Sequence, residues 1–592
     1  MKKYVILLLM FVGKFTFAQE ETSITKKNDT IKTEVVNVVT SYAPKVTDAF
    51  KIKRKPVIHL SKEVDKKELE YQIISVPVAS TFIPQSGTLK GINLGKQERL
   101  FDNYLSAGFG NNTTPFFEAY IHNNTPFDGE YSIGLNFLYT NDPVENTVLS
   151  SSFYNVDLDL LFKQEERYFD WKLGFKAERD MYNWYGIPEN IPFTEIAINS
   201  IEAQQTYKHY KVFGGAEFQD SYTQDANAFV SLFTDDFESS EFNAGIEGTF
   251  AFPLGRFGLQ LEDLQLKGSL DYLGGTFVRS YENDDFNEVK YKFITLGAHP
   301  YYNFKFNEFD IKVGAKAFFS MDTENSLNQF FIYPDVEINY PVIGKLANLY
   351  VGASGDLHNN SYKSLSNENP YISPTQTILQ TDEIYNIYGG LRGILSNTIN
   401  YNVQASYKNE ENKPLYVLNN SKSNGNTTGD VLTGYSFSGY DYGNSFSAVY
   451  DNVKTVTVSG EIAYDFSKQI TVGLNSEFNT YSLLNQEEAW HLPKIKADVF
   501  GHYKTDKWYA TTNIYFVGNR KGFIYDNDVP TAVDLKSYID VNVNGGYHFN
   551  PIFSAFLKVN NITNNSYQKF TNYNVQGIQV IGGIVWKFDA LF

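Results

Sequence analysis

Eight histidines are the residues of this chain best suited to acid–base or metal chemistry: His59, His122, His209, His299, His358, His491, His502 and His548. A zinc hydrolase would hold two of them one helical turn apart around a glutamate, and no such HExxH spacing occurs. A lipid-face hydrolase would need a serine beside a histidine at a membrane interface. His502 and His548 adjoin Tyr503 and Phe549, but strand alternation sends them to the face opposite those aromatics, and no serine partner can be named. They read as lumen or interface histidines. There is no Gly-x-Ser-x-Gly elbow. There is no cysteine either, which removes thiolate nucleophiles, thiolate metal sites and disulfides. Acidic groups cluster at Asp235-Asp236, Asp284-Asp285 and Asp526-Asn527-Asp528. Their oxygens suit calcium, but none has EF-hand spacing, and solvated loop charge accounts for them. Tyr182, Trp184 and Tyr185, beside Gly186-Ile187-Pro188, form an aromatic loop able to stack on a sugar, contact a partner or pack on a rim. No residue set is assigned as catalytic, cofactor-binding or metal-binding, and the chain is read as not an enzyme.

The elements around these residues point to a membrane barrel. The chain has 592 residues, 43 Tyr and 48 Phe, and is 16% aromatic. Soluble enzymes rarely carry so much Tyr and Phe, whereas membrane barrels use them as interface girdles. No stretch holds about 18 consecutive apolar residues, so no transmembrane helix is expected. The net charge of −18 argues against a nucleic-acid partner and places acid in loops and lumen.

Strand patterning is clearest toward the C-terminus. Val456, Val458, Gly460, Ile462, Tyr464 and Phe466 alternate with Thr455, Thr457, Ser459, Glu461, Ala463 and Asp465. Ile470, Val472 and Leu474 continue the pattern after a short turn. In Leu535–Phe549, Ile539, Val541, Val543, Tyr547 and Phe549 face one way; Asp540, Asn542, Asn544 and His548 face the other. Tyr131, Ile133, Leu135, Phe137 and Tyr139 do the same earlier. Apolar faces end in aromatic pairs: Tyr464/Phe466, Tyr547/Phe549 and Trp586/Phe588. Short connections near Ser467-Lys468, Thr505-Asp506 and Asn550-Pro551 alternate with long ones over Tyr481–Leu492, Gly518–Asp534 and Asn560–Gln576. Short periplasmic turns and long outer loops give that alternation. The expected fold is all-β: a large antiparallel transmembrane β-barrel of even strand number, about 16–22, with strands of roughly 10–14 residues and periplasmic termini. Its first strand is Asn103–Gly110.

Three segments follow. Residues 1–18 read as a signal peptide: Lys2 and Lys3, an apolar run from Tyr4 to Val12, and a small residue, Ala18, before Gln19. Residues 19–100 read as a periplasmic N-terminal segment, partly disordered, with a β-prone run Thr33–Thr40 and a basic cluster of Lys51, Lys53, Arg54 and Lys55. Residues 101–592 form the outer-membrane barrel.

The last thirty residues resemble the closing hairpin of a TonB-dependent receptor barrel. Val559-Asn560-Asn561-Ile562, Tyr567, Gly577, Gly582-Gly583 and Trp586-Lys587-Phe588 carry the likeness. Asn369-Pro370-Tyr371-Ile372-Ser373-Pro374 resembles a segment preceding a barrel strand in the same family, and Thr33–Tyr42 resembles the segment ahead of the plug in Bacteroidota members. The stretch between Tyr42 and Asn103 is too short, and too poor in glycine patterning, to match the family's plug. The resemblance implies an outer-membrane location, lipid contact, and passage or gating of a solute. The implied partners are a periplasmic TonB-type protein or an outer-membrane lipoprotein, and the Thr33–Thr40 run is the candidate TonB contact. The competing expectation is a plug-less barrel serving as a structural or assembly subunit of an outer-membrane complex.

Overall fold

The computed structural model describes residues 101–125, 129–254, 263–282 and 287–589. The signal sequence, the Thr33–Thr40 run, the basic cluster and Asp284-Asp285 lie outside them. So does Phe592.

Twenty-two strands pair antiparallel, each with its sequence neighbour in the wall. The first, Asn103–Gly110, also pairs with the last, Gln579–Phe588, from Asn103 opposite Phe588 to Gly110 opposite Ile581. That pairing closes the sheet and leaves the barrel no free edge. The strand number is even, at the upper bound of the expected range, and Asn103–Gly110 is indeed the first strand. No helix of the described residues is long and apolar enough to cross a membrane.

The alternation works as read. Val456, Val458, Ile462 and Phe466 are exposed on the outer wall, while Thr455 is buried. Tyr464 packs edge-on against Phe466, Tyr547 against Phe549, and Trp586 stacks on Phe588. Trp508 joins Tyr547, and Phe553 joins Trp586, so the pairs connect laterally into a belt at the short-turn end. Short turns at that end, such as 468–469 and 505–507, mark the periplasmic side. The inner wall carries cross-strand ion pairs: Lys176 with Asp159 at 2.8 Å, Lys312 with Asp335 at 2.6 Å, and Lys316 with Asp356 at 2.7 Å. Charge is tolerated there because the lumen is polar; the first two pairs join adjacent strands, and Lys316 reaches Asp356 over the strand Leu327–Ile343 between them.

Two expectations need correction. Strands run well beyond 14 residues: Ile399–Leu418 has 20 and Phe446–Ser467 has 22. Their extra length rises past the membrane band and carries buried Leu415, Tyr416, Phe446 and Ala448. The long connections are also not plain loops. Within 518–537 lies a hairpin, Arg520–Asp526 with Val529–Leu535. It turns on Asn527 and Asp528, both at positive φ, the twist a two-residue hairpin loop needs.

Candidate functional site

The long connections converge over one mouth of the barrel. Strand order around the wall shows how far each reaches. Trp184 follows the fifth strand, Phe169–Asn183; Asn444 precedes the sixteenth, Phe446–Ser467. In a wall of 22 these positions are nearly opposite. Yet the Asn444 side-chain amide donates to the Trp184 carbonyl at 2.8 Å. The Trp184 indole donates to the Tyr371 carbonyl at 3.1 Å, and the Tyr185 hydroxyl donates to the Asn574 carbonyl at 2.7 Å. Chain from four separate connections therefore meets over the mouth and roofs it.

The roof has a core of its own. Trp184, Tyr362, Ile372, Tyr442, Phe446 and Tyr573 are buried to within about 1% of full coverage. Tyr371 stacks on Tyr573 with ring centroids 3.7 Å apart, and Tyr185 meets Tyr573 edge-on at 4.9 Å. Aromatic pairs of this geometry contribute beyond the apolar area they bury. Gly439 explains how closely two connections approach. A Cβ there would collide with the Glu202 carbonyl oxygen, so only glycine fits.

Polar groups lock the roof in place. Asp441 is fully buried and accepts from the Arg279 guanidinium at 2.8 Å and from the Tyr435 hydroxyl at 2.6 Å. Burial opposes the Arg279 charge, but Asp441 beside it prevails and raises its pKa. Arg279 also lies over the rings of Tyr435 and Tyr440, 4.4 and 5.2 Å from their centroids. Glu241, at the head of the eighth strand, accepts from the backbone N–H groups of Tyr362 and Lys363. It thus binds the N-terminus of the short helix Tyr362–Glu368, beside the Ser361 cap, from a strand five places away in the wall. His491 joins three elements. Its Nδ1 lies 3.1 Å from the Tyr416 carbonyl, and its Nε2 lies 2.9 Å from Thr571 Oγ1 and accepts from Thr571 N. The carbonyl requires Nδ1 to donate, so Nε2 is the acceptor in a neutral ring. Burial, helped by the Arg520 charge, drives its pKa down to about 3.

Beside the roof, a cavity of about 600 Å³ opens between these connections and the inner faces of several strands. Asn155, Asp540, Asn542 and Asn560 line it from the wall; Tyr185, Tyr371 and Phe570 line it from the roof. Asp540 accepts from the Tyr567 hydroxyl at 2.7 Å, and Asn542 accepts from the Asn561 backbone at 3.0 Å. Buried Asp540 Oδ1 and Gln576 Oε1 have no hydrogen-bond partner.

The residues singled out in the sequence scatter. Trp184 is buried and cannot stack on a solute, whereas Tyr182 and Tyr185 do line the cavity. Asp235 is not solvated loop charge. It accepts from Phe237 N and Ser239 N at 2.9 and 2.8 Å and from the Tyr362 hydroxyl at 2.8 Å; its neighbour Asp236 pairs with Lys208. Burial raises the Asp235 pKa against those bonds. Asp528 accepts from Asn420 at 2.9 Å. His491 is neither a lumen nor an interface histidine but part of the roof core. His209 and His299 do lie on the inner wall, beside Glu178 at 3.1 Å and Asp335 at 2.6 Å. His502 and His548 contact Phe500 and Tyr509, on the face opposite Tyr503 and Trp508. Arg279, Asp441 and Asn444 escaped notice because single polar residues in long connections carry no spacing signal. The nearest clue was the density of Tyr, Phe and Asn in those connections.

The described residues thus form a closed barrel of 22 antiparallel strands with a roofed mouth and a polar lumen. Solved structures bear out the fold. The FrpB iron transporter from Neisseria meningitidis matches with a TM-score of 0.59 and 11% identity over 82% of each chain. The siderophore receptor PirA from Acinetobacter baumannii matches with a TM-score of 0.58 and 12% identity over 82% of this chain and 80% of that one. A mutant of the ferric enterobactin receptor PfeA from Pseudomonas aeruginosa matches with a TM-score of 0.56 and 10% identity, over the same shares. At such identities the likeness concerns the fold. No protein-family model and no curated protein matches the chain.

Proposed function

We propose that this protein carries a solute across the outer membrane through its barrel, with the roof as the outer gate. The observation that carries the reading is the cavity itself, which joins wall residues such as Asp540 and Asn542 to roof residues such as Tyr371 and Phe570. A ligand bound there touches both the fixed wall and the parts that must move. The neighbours in fold include proteins described as an iron transporter and a siderophore receptor, which supports a carrier over an enzyme. By the same analogy, a periplasmic TonB-type protein would act on the residues preceding the barrel, through Thr33–Thr40.

The test is permeability. Vancomycin is too large to cross an intact outer membrane, so a Gram-negative host expressing the protein reports an opened barrel as drug sensitivity. Wild-type protein should leave the host resistant; Trp184→Ala, which empties the roof core, should sensitise it. A Trp184→Ala barrel that assembles, has protease-sensitive outer loops and still excludes the drug would overturn the reading. Deletion of 33–40 should abolish uptake of the natural solute without changing assembly.

A further inference from the structure

Alternation fixes the facing of two cations on the fifth and sixth strands. Phe169–Asn183 and Gln204–Phe218 pair antiparallel, with Arg179 directly opposite Lys208. Glu178 and His209, each one residue away, lie on the inner wall 3.1 Å from each other. Leu173, Tyr210 and Val212, at even spacing from the cations, are exposed on the outer wall. Arg179 and Lys208 therefore face outward. Their height follows from chain length. At the short-turn end, Phe169 stands opposite Phe218 with ring centroids 5.9 Å apart. Each cation is ten residues farther along its strand. Ten residues at about 3.3 Å each, in a strand tilted by about 40°, climb roughly 25 Å. The apolar band of such a barrel is about 25 Å tall. The pair therefore sits at the outer edge of that band, level with the lipid head groups.

Like charges directly opposite one another repel. Asp236 offsets part of that repulsion from the following connection, with its Oδ1 2.8 Å from Lys208 Nζ. Arg179 is exposed, and its guanidinium lies 5.7 Å from the centroid of the Tyr154 ring. Among the described residues no carboxylate pairs with it. The cluster thus keeps an excess positive charge in a chain whose net charge is −18. Lys290 differs. It lies on the outer face of the tenth strand, Val289–Phe306, beside buried Tyr291, and Glu288 pairs with it at 2.5 Å. Below Arg179 the outer face turns apolar. Leu158, Ala177, Tyr210 and Leu232 stand in one row across four strands. Ala177 is the smallest of them and leaves a furrow between Leu158 and Tyr210, next to Arg179 on the same face.

We infer that Arg179 and Lys208 bind the phosphate of an outer-leaflet lipid, with an acyl chain lying in the furrow at Ala177. The Arg179 fork matches two phosphate oxygens at once, and Lys208 adds a point charge. Tyr154 and Tyr210 flank the head group as rings that are apolar at one end and polar at the other. A free phosphate would satisfy the charges and leave the furrow empty; a phosphorylated lipid fills both. The inference does not depend on the carrier reading.

The full-length protein, purified and exchanged into fresh detergent to strip resident lipid, is titrated with lipid A carrying its phosphates and with the same lipid after their removal. Native mass spectrometry counts the bound lipid. The phosphorylated lipid should bind about tenfold more tightly than the dephosphorylated one. Arg179→Gln should weaken binding of the phosphorylated lipid about tenfold. Lys290→Gln, on the same outer face but already neutralised by Glu288, should leave it unchanged. A large excess of inorganic phosphate should not displace the lipid. Folding of each variant is checked by the faster migration of an unheated barrel on a denaturing gel. Equal binding of the two lipids, a folded Arg179→Gln barrel that binds like wild type, a Lys290→Gln loss as large as that of Arg179→Gln, or displacement by inorganic phosphate would each overturn the inference.

Discussion

Asn444 reaches across almost the full width of the barrel to donate a 2.8 Å hydrogen bond to the carbonyl of Trp184. The two residues belong to connections rooted on nearly opposite sides of a 22-stranded wall. This contact turns a set of outer loops into one packed structure.

The roof should therefore fail as a unit. Trp184 is 1% exposed, so Trp184→Ala leaves a large cavity and should cost about 3–5 kcal/mol. The loss falls on the roof, because the wall is held by its own strand pairing. Limited trypsin digestion should cut the variant in 419–445 and 561–578 while the barrel keeps its heat-modifiable migration.

The buried ion pair allows a cycle. Arg279→Met removes the nearer of two cations beside Asp441, with Lys422 Nζ remaining 3.6 Å away, and should destabilise the roof by up to about 3 kcal/mol. Arg279→Met combined with Asp441→Leu and Lys422→Met, which removes all three charges, should recover most of that loss. Protease resistance of the outer loops against temperature measures both.

The pH dependence of the roof has a definite sign. His491 is neutral when folded, with its pKa driven down to about 3, whereas an exposed histidine titrates near 6.5. Above about 6.5 both states are neutral and its stabilisation is complete. As pH falls from about 6.5 toward 3 the unfolded roof takes up a proton that the folded roof refuses, so stability declines. Arg520 is the charge that faces the ring, and it does not titrate in this window. Acid-induced protease sensitivity should appear in the wild type and be blunted in His491→Gln.

The wall offers the cleanest test of facing. Arginine at Val541 or Val543 meets lipid and should cost roughly 2–4 kcal/mol near the midplane, reducing the assembled barrel in membranes. Arginine at Asn544 faces the lumen and should assemble. Asn542 is a less clean control than Asn544, because its side chain accepts from Asn561 and lines the cavity.

These predictions divide along what the sequence could reveal. Alternation at Val456–Phe466 and Ile539–Phe549 was legible because the two faces meet different solvents, lipid and water. The aromatic pairs were legible for the same reason, and the short turns followed from chain length alone. The middle strands, such as Ile399–Leu418, were harder, since their upper halves leave the membrane and lose the pattern. The roof was not legible. Trp184, Arg279, Asp441 and Asn444 are far apart in sequence and meet only because ring closure brings opposite sides of the wall over one mouth. His491 was one of eight histidines without ligand spacing, and nothing set it apart from a lumen or interface histidine until its neighbours were known. The cavity could be sensed only through Tyr182 and Tyr185.

The central claim is that the roof closes a passage through the barrel. Conductance of single molecules in a planar bilayer tests it most directly. Wild-type protein should show no stable open steps, and Trp184→Ala should show large ones. A wild type that conducts as an open pore, or a Trp184→Ala barrel that stays silent with its roof protease-sensitive, would contradict the account.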